Sequence, residues 1–286
     1  QTASIFAGGY TTTEVANAES WNGSSWTEVN DLNTARAYTG GSGTSTSNIL
    51  SAGYTVPTPA QSAVETWDGS SWTETTNVNT ARSQLAAAGV SNTSQLIFSG
   101  GPPATGKTES WNGSSWTEVA DMANARNSAD GAGIQTSALV MAGYDGSTNS
   151  ALSEEFTAAT SFTKINLGQV YFNSGSNAFK VTQTVTGTGA WSSGGNLNQA
   201  RSQGGNNASG GSASIGLVSG GNKYSPGASY DNTEIYNGTA WTEVNNINTS
   251  RGYSTGAGTP AGALVVSGNT APATTRAQVE SWDGTN

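Results

Sequence analysis

The sequence contains no cysteine and no histidine. Without thiols there is no disulfide framework, and without imidazole the commonest general base is gone as well. Copper or zinc sites built from nitrogen and sulfur ligands are therefore excluded. Charge is scarce: only 10% of residues are charged, and the balance is acidic, at −9. Such a surface repels a nucleic-acid backbone, so nucleic acid is not an expected partner. No apolar run approaches the roughly 18 residues of a membrane-spanning helix, so no membrane insertion is expected. The chain starts at Gln1 without Met or a signal peptide, and part of the N-terminus is expected to be missing or processed away.

What fills the chain is glycine, 38 of 286 residues, with serine, threonine and asparagine. This composition favours short strands and tight turns over helices. Polar, glycine-rich composition also suits disorder, but a regular aromatic and apolar pattern argues against it. One stretch sets that pattern: Glu19-Ser-Trp-Asn-Gly-Ser-Ser-Trp-Thr-Glu-Val-Asn-Asp-Leu-Asn-Thr-Ala-Arg36. It returns at 65–82, at 109–126 and, with Tyr236 for the first Trp, at 234–251; a partial copy begins at Glu280. Asn-Gly or Asp-Gly between aromatic runs is a strong hairpin signal. The flanking aromatics Trp21/Trp26, Trp67/Trp72, Trp111/Trp116 and Tyr236/Trp241 are expected to be core, with a sugar-stacking platform as the alternative.

Each repeat runs between the arginines Arg36, Arg82, Arg126, Arg201 and Arg251, spaced 46, 44, 75 and 50 residues apart. After each Arg comes a small-residue strand a. Strand b is a short apolar run ending in Gly, such as Leu96-Ile-Phe-Ser-Gly-Gly101; strand c carries Glu-x-Trp; strand d carries Trp-Thr-Glu. Four antiparallel strands per roughly 45 residues is the period of a β-propeller blade. The order Arg, apolar-Gly, Glu-x-aromatic, Trp resembles the Kelch repeat over nearly the whole chain. That resemblance implies an all-β Kelch-like propeller with strand a near the axis and strand d at the rim. The single Gly at Gly53, Gly143 and Gly268 departs from many Kelch repeats.

The chain reads as a single domain over 1–286, with blades at 1–36 (partial), 37–82, 83–126, 127–166, 167–201 (reduced), 202–251 and 252–286 (partial). The first blade begins at strand b and the last stops before strand d, so the ends are either incomplete blades or cuts in a longer array. The 75-residue spacing is read as two units. One has a degenerate c–d hairpin with Phe156 and Phe162 in the Trp places; the other is a reduced blade ending in Trp191. This gives seven blades. The alternative is six, with a hairpin inserted in one.

No catalytic residue, cofactor or metal ligand is assigned. Kelch-like galactose oxidases need ligands that this sequence lacks. A carboxylate pair of the glycosidase kind remains conceivable. Yet at least ten of the 19 acidic residues are repeat positions, whereas catalytic residues should break a repeat. Asp145-Gly-Ser-Thr-Asn149 offers alternating oxygens, a faint calcium pattern better read as a turn. The Asn-Gly-Ser/Thr sequons at Asn22, Asn112 and Asn237 are read as hairpin turns. The repeat Arg are expected to form a structural ring, with an anion-binding ring as the alternative.

Near-identical copies joined by variable loops suggest a display scaffold. In an antiparallel meander the b–c and d–a connections share one face. The b–c loops differ in every copy, and Tyr54, Tyr144, Tyr224 and Tyr230 on or beside them are the candidate ligand-binding residues. The repeat wording, including Gly168-Gln-Val-Tyr-Phe-Asn-Ser, is similar to Kelch-like repeat proteins of marine bacteriophages. That likeness implies an extracellular or virion-associated, non-enzymatic propeller, such as a phage tail component. Its partner would be a cell-surface glycan or a neighbouring virion protein. The alternative is a secreted microbial lectin or adhesin. An intracellular Kelch adaptor fits less well, because charge is low and no companion domain is present.

Overall fold

A computed structural model describes residues 3–159, 170–173, 178–181, 188–203, 205–209, 212–223, 228–270 and 274–285. Among them there is no helix and every element is a strand. The first sheet holds β1 (Ser4–Tyr10), β2 (Glu14–Trp21) and β3 (Trp26–Val29). The second holds β4 (Gly40–Thr44), β5 (Ser47–Gly53), β6 (Gln61–Trp67) and β7 (Trp72–Thr75). The third holds β8 (Ala86–Ser91), β9 (Ser94–Phe98), β10 (Thr108–Trp111) and β11 (Trp116–Glu118).

The fourth sheet takes β12 (Asp130–Ile134), β13 (Ser137–Met141) and β14 (Ser153–Thr157). Next in the chain, β15 (Val170–Asn173) and β16 (Ala178–Val181) pair only with each other. The fourth sheet is then completed by β17 (Ala190–Ser193). The fifth holds β18 (Gly205–Ser209), β19 (Gly216–Ser219), β20 (Thr233–Tyr236) and β21 (Trp241–Val244). The sixth holds β22 (Thr255–Thr259) and β23 (Gly262–Val266). A small pair, β24 (Asn269–Thr270) and β25 (Thr274–Thr275), precedes its last strand β26 (Val279–Trp282).

The 75-residue spacing resolves differently from the reduced blade expected at 167–201. Phe156 faces Trp191 across β14 and β17, ring centroids 5.3 Å apart, as Trp67 faces Trp72 in the second sheet. The aromatic pair closes one sheet, and β15–β16 is a hairpin inserted between its third and fourth strands. Phe162 lies outside the described residues.

The Asn-Gly and Asp-Gly stretches form hairpin turns closed by a side chain. Trp21 pairs with Trp26 across a four-residue loop, in which only Gly23 has positive φ. Asn22 Oδ1 accepts the backbone N–H groups of Ser24 and Ser25, both at 2.9 Å. Asp68, Asn112 and Asn237 repeat this side-chain-closed turn.

The core lies between successive sheets. Trp111 and Trp116 of the third sheet pack on Ile49, Val64 and Leu85. Trp67 and Trp72 pack on Ile5, Ala7 and Val29 of the first. Inner strands touch neighbouring inner strands, β4 with β8, β8 with β12 and β18 with β22. Small residues permit this approach: a Cβ added at Gly131 would sit 2.7 Å from the Ala87 carbonyl oxygen.

The repeat arginines are buried and pair with the glutamate of the next sheet: Arg36–Glu65 and Arg82–Glu109 at 2.9 Å, Arg126–Glu154 at 3.3 Å, Arg251–Glu280 at 2.5 Å, and Arg201–Glu234. Burial lowers the pKa of each of these guanidiniums, and the partner carboxylate opposes the shift. They form a series of five inter-sheet latches, in which each repeat guanidinium is buried against a carboxylate and not presented to solvent. Each arginine carbonyl also accepts the N–H of a glycine ending strand b, as Gly53 to Arg82 at 2.9 Å.

Candidate functional site: a tyrosine- and amide-lined mouth

Two residues past each latch arginine the backbone turns left-handed. Tyr38, Gln84, Ser128, Gln203 and Tyr253 have φ between 52° and 56°. A left-handed conformation strains a residue bearing a Cβ, and it persists where the surroundings over-determine it. Here a chain of backbone bonds does so. Gln84 N–H donates to the Tyr38 carbonyl, Ser128 to Gln84, Gln203 to Ser128 and Tyr253 to Gln203, at 2.8 to 3.0 Å. The five residues form a rim around one end of a central cavity of about 1620 Å³, walled by residues of β1, β4, β8, β12 and β22.

The b–c loops stand on the same face as this rim. Tyr54 bridges to Ala37 through the backbone, and its ring meets Tyr38 edge-on at 6.0 Å. Asn127 bridges to Tyr144, and Ser202 to Asn222. Tyr10, Tyr38 and Tyr253 present large exposed faces, at 52%, 38% and 46%. Burial raises the Tyr38 phenol pKa, with further upward contributions from Tyr253, Tyr10, Tyr54 and Glu14. Glu14 Oε1 is buried without a hydrogen-bond partner.

A smaller recess of about 380 Å³ opens beside the rim, lined by Gln84, Asn127, Tyr144, Gln203, Lys223 and Tyr253 among others. Its amides are fixed in place: Asn149 Nδ2 donates to the Asn222 carbonyl at 2.6 Å, and Asn222 Nδ2 donates to Gln203 Oε1 at 2.7 Å. The surface thus combines flat aromatic faces with oriented amide donors and acceptors.

Of the residues expected from sequence, Tyr144 lines the recess and Tyr54 buttresses Tyr38. Tyr230 has another role. Its ring lies 5.4 Å from the Arg201 guanidinium and 4.6 Å from Lys223 Nζ, so it seats two cations in the wall. Tyr224 lies outside the described residues. Tyr10, Tyr38, Tyr253 and the rim glutamines were missed. Their signal was available: the second residue after each repeat Arg reads Tyr, Gln, Ser, Gln, Tyr within otherwise repeating wording.

The Asp145 turn is closed by its own backbone. Oδ1 accepts the N–H groups of Ser147 and Thr148 at 2.7 and 2.8 Å, which hold the carboxyl down at a pKa of about 2. No cluster of three or more acidic side chains forms a cation cage among the described residues.

The described chain is all-β, with four four-stranded antiparallel sheets flanked in sequence by two three-stranded ones. One solved structure of this kind is that of YjhT. It superposes with a TM-score of 0.67 over 96% of this chain and 92% of the other, at 10% identity. The likeness shows a shared fold and no more; 180 chains of solved structures match. No protein-family model matches the sequence, and no curated protein does.

Proposed function

We propose that the protein is a Kelch-like β-propeller acting as a non-catalytic binding module outside the cell or on a virion, and that its rimmed mouth takes carbohydrate. The propeller reading draws support from the recurring Arg–Glu latches and from the fold shared with the propeller-like YjhT. The row of strained rim residues carries the functional reading. Backbone bonds hold Tyr38, Gln84, Ser128, Gln203 and Tyr253 side by side while their side chains differ. Tyrosine faces stack on sugar rings, and fixed amides read hydroxyls.

The non-catalytic reading rests on carboxylate use. Glu65, Glu109, Glu154, Glu234 and Glu280 are consumed by arginines. A second reading, docking on a neighbouring virion protein, is favoured by the exposed apolar side chains Val56 and Leu152 on two b–c loops. The virion setting rests on the wording of the repeats. The test is binding of purified protein to a panel of immobilised polysaccharides, with Tyr38→Ala and Tyr253→Ala compared. Loss of binding by both variants with unchanged melting supports the mouth. Binding that survives both substitutions, or no binding to any member of the panel, refutes it.

A further inference from the structure

The chain carries a net charge of −9, yet none of the described residues that line the recess beside the rim is acidic. The charged side chain in its lining is Lys223. Five arginines of the chain are latched to glutamates, and Lys107 pairs with Glu118. Lys223 makes no ion pair among the described residues. Its Nζ sits 4.6 Å from the centre of the Tyr230 ring, which supports the charge from one side, and the residue is exposed on the other. Asp145, next to Tyr144 of the recess, is turned onto its own loop. Its Oδ1 accepts the Ser147 and Thr148 N–H groups, and its Oδ2 accepts the Thr148 hydroxyl at 3.3 Å.

The amides of the recess are engaged unevenly. Gln203 Oε1 accepts the Asn222 Nδ2–H at 2.7 Å, Asn127 Oδ1 accepts the Ser128 hydroxyl at 3.1 Å, and Asn222 Oδ1 accepts the Ser229 hydroxyl at 3.2 Å. These side-chain carbonyls are thus taken up inside the protein. Gln203 Nε2 and Asn127 Nδ2 donate to no described atom, and the Gln84 amide keeps both ends open. An amide nitrogen offers two N–H groups and an ammonium three. Donors around one positive charge therefore prevail in what the recess leaves for a ligand.

Gln84, Ser128, Gln203, Asn222, Lys223 and Tyr253 line both the recess and the central cavity, so the two are continuous. A neutral sugar presents hydroxyls, which call for acceptors as well as donors, whereas a carboxylate or a sulfate ester presents acceptors alone. We propose that the recess binds the anionic oxygen group of an acidic polysaccharide, with Lys223 Nζ and the amide N–H groups of Gln203 and Asn127 as its donors. This assignment rests on the carbohydrate reading of the mouth and adds the sign of the charge on the sugar. The tyrosine faces of the rim hold the ring, and the recess selects the charged unit.

The probes are polygalacturonate, its carboxyl-reduced form, dextran sulfate and dextran, each titrated into the intact chain at low ionic strength. At least one acidic polymer is expected to bind about tenfold or more tightly than its neutral counterpart, and Lys223→Gln to lose that margin. Lys223→Arg keeps the charge and should keep most of the margin. Lys223 is exposed, so an unchanged melting temperature is expected in both variants. Lys107→Gln, on a surface pair outside the recess, is the control for net charge. A margin that depends on Lys223 with polygalacturonate assigns the carboxylate, and one with dextran sulfate assigns the sulfate ester. Equal binding of acidic and neutral polymers overturns the proposal and leaves the carbohydrate reading of the mouth standing. A margin that Lys107→Gln reduces as much as Lys223→Gln also overturns it, since the attraction is then one of net charge. Failure to bind any of these polymers overturns it as well, and the mouth reading then stands or falls with the neutral members of the wider polysaccharide panel.

Discussion

Replacing Glu109 with alanine tests what joins the sheets. Glu109 and Arg82 are 1% and 2% exposed and 2.9 Å apart. Glu109 Oε2 also accepts the Asn79 N–H at 2.7 Å, and Oε1 accepts the Thr80 N–H at 3.3 Å. Arg82 keeps one other bond, to the Lys107 carbonyl at 3.1 Å. Removing the carboxylate strands a buried guanidinium and two backbone donors. Breaking a buried pair from one side costs about 3–5 kcal/mol. Each orphaned donor that water fails to reach adds about 1–3 kcal/mol, so the upper half of the pair's range is expected. Glu109→Gln keeps one acceptor and should cost about 2 kcal/mol. The surface pair Lys107–Glu118, 3.4 Å apart and 40% and 53% exposed, is the control, and Lys107→Ala should cost less than about 1 kcal/mol. Urea titration followed by tryptophan fluorescence measures all three. Arg82→Met with Glu109→Leu should lose far less than the sum of the single changes, since no charge is left behind. If Glu109→Ala unfolds no earlier than Lys107→Ala, or the double change is additive, the latch does not hold the sheets as argued.

Three further outcomes are expected. Trp116, packed between the second and third sheets, should cost about 3–5 kcal/mol when truncated to alanine, read as a fall in the urea midpoint. Gly131→Ala should destabilise by about 1–3 kcal/mol, seen in thermal melts, because its Cβ would meet the Ala87 carbonyl at 2.7 Å and the Phe98 ring at 2.8 Å. The Tyr236 phenol is pushed up to about 12 by burial and by its 2.6 Å bond to Glu155. Because the folded pKa lies above the unfolded 10.0, this group's stabilisation is complete below pH 10 and is lost as pH rises towards 12. Stability should therefore fall less steeply over that window in Tyr236→Phe, measured by urea midpoints at successive pH values.

Much of the architecture was legible because each level of the repeat agrees with the others. The Gly ends of strand b, the Trp pairs of strands c and d and the recurring Arg all point to one four-stranded unit. The error came at the 75-residue spacing. There Phe162 imitates the closing aromatic of the fourth unit and the run Val170-Tyr-Phe172 the start of a new one, whereas it is Trp191 that faces Phe156. Linear spacing cannot say which of two later aromatics that is. The mouth was half legible. The variable b–c loops drew attention to Tyr54 and Tyr144, but a rim made by φ near 55° leaves no mark in sequence other than variation at one position. Nothing in the sequence signals that Tyr230 on its variable loop also lies over Arg201 and Lys223, because two strands separate Arg201 from it in the chain.

The rim is bonded through main chain alone, and this separates two jobs that most binding sites entangle. Position is fixed by amide-to-carbonyl links that any side chain leaves intact, while chemistry is set by whichever side chain each unit brings. Exchanging one unit would bring a different side chain to the rim, while its Trp pair and its Arg–Glu latch would have to match the neighbouring sheets. The rim is thus the one part of the repeat where unit-to-unit variation leaves the main-chain frame in place.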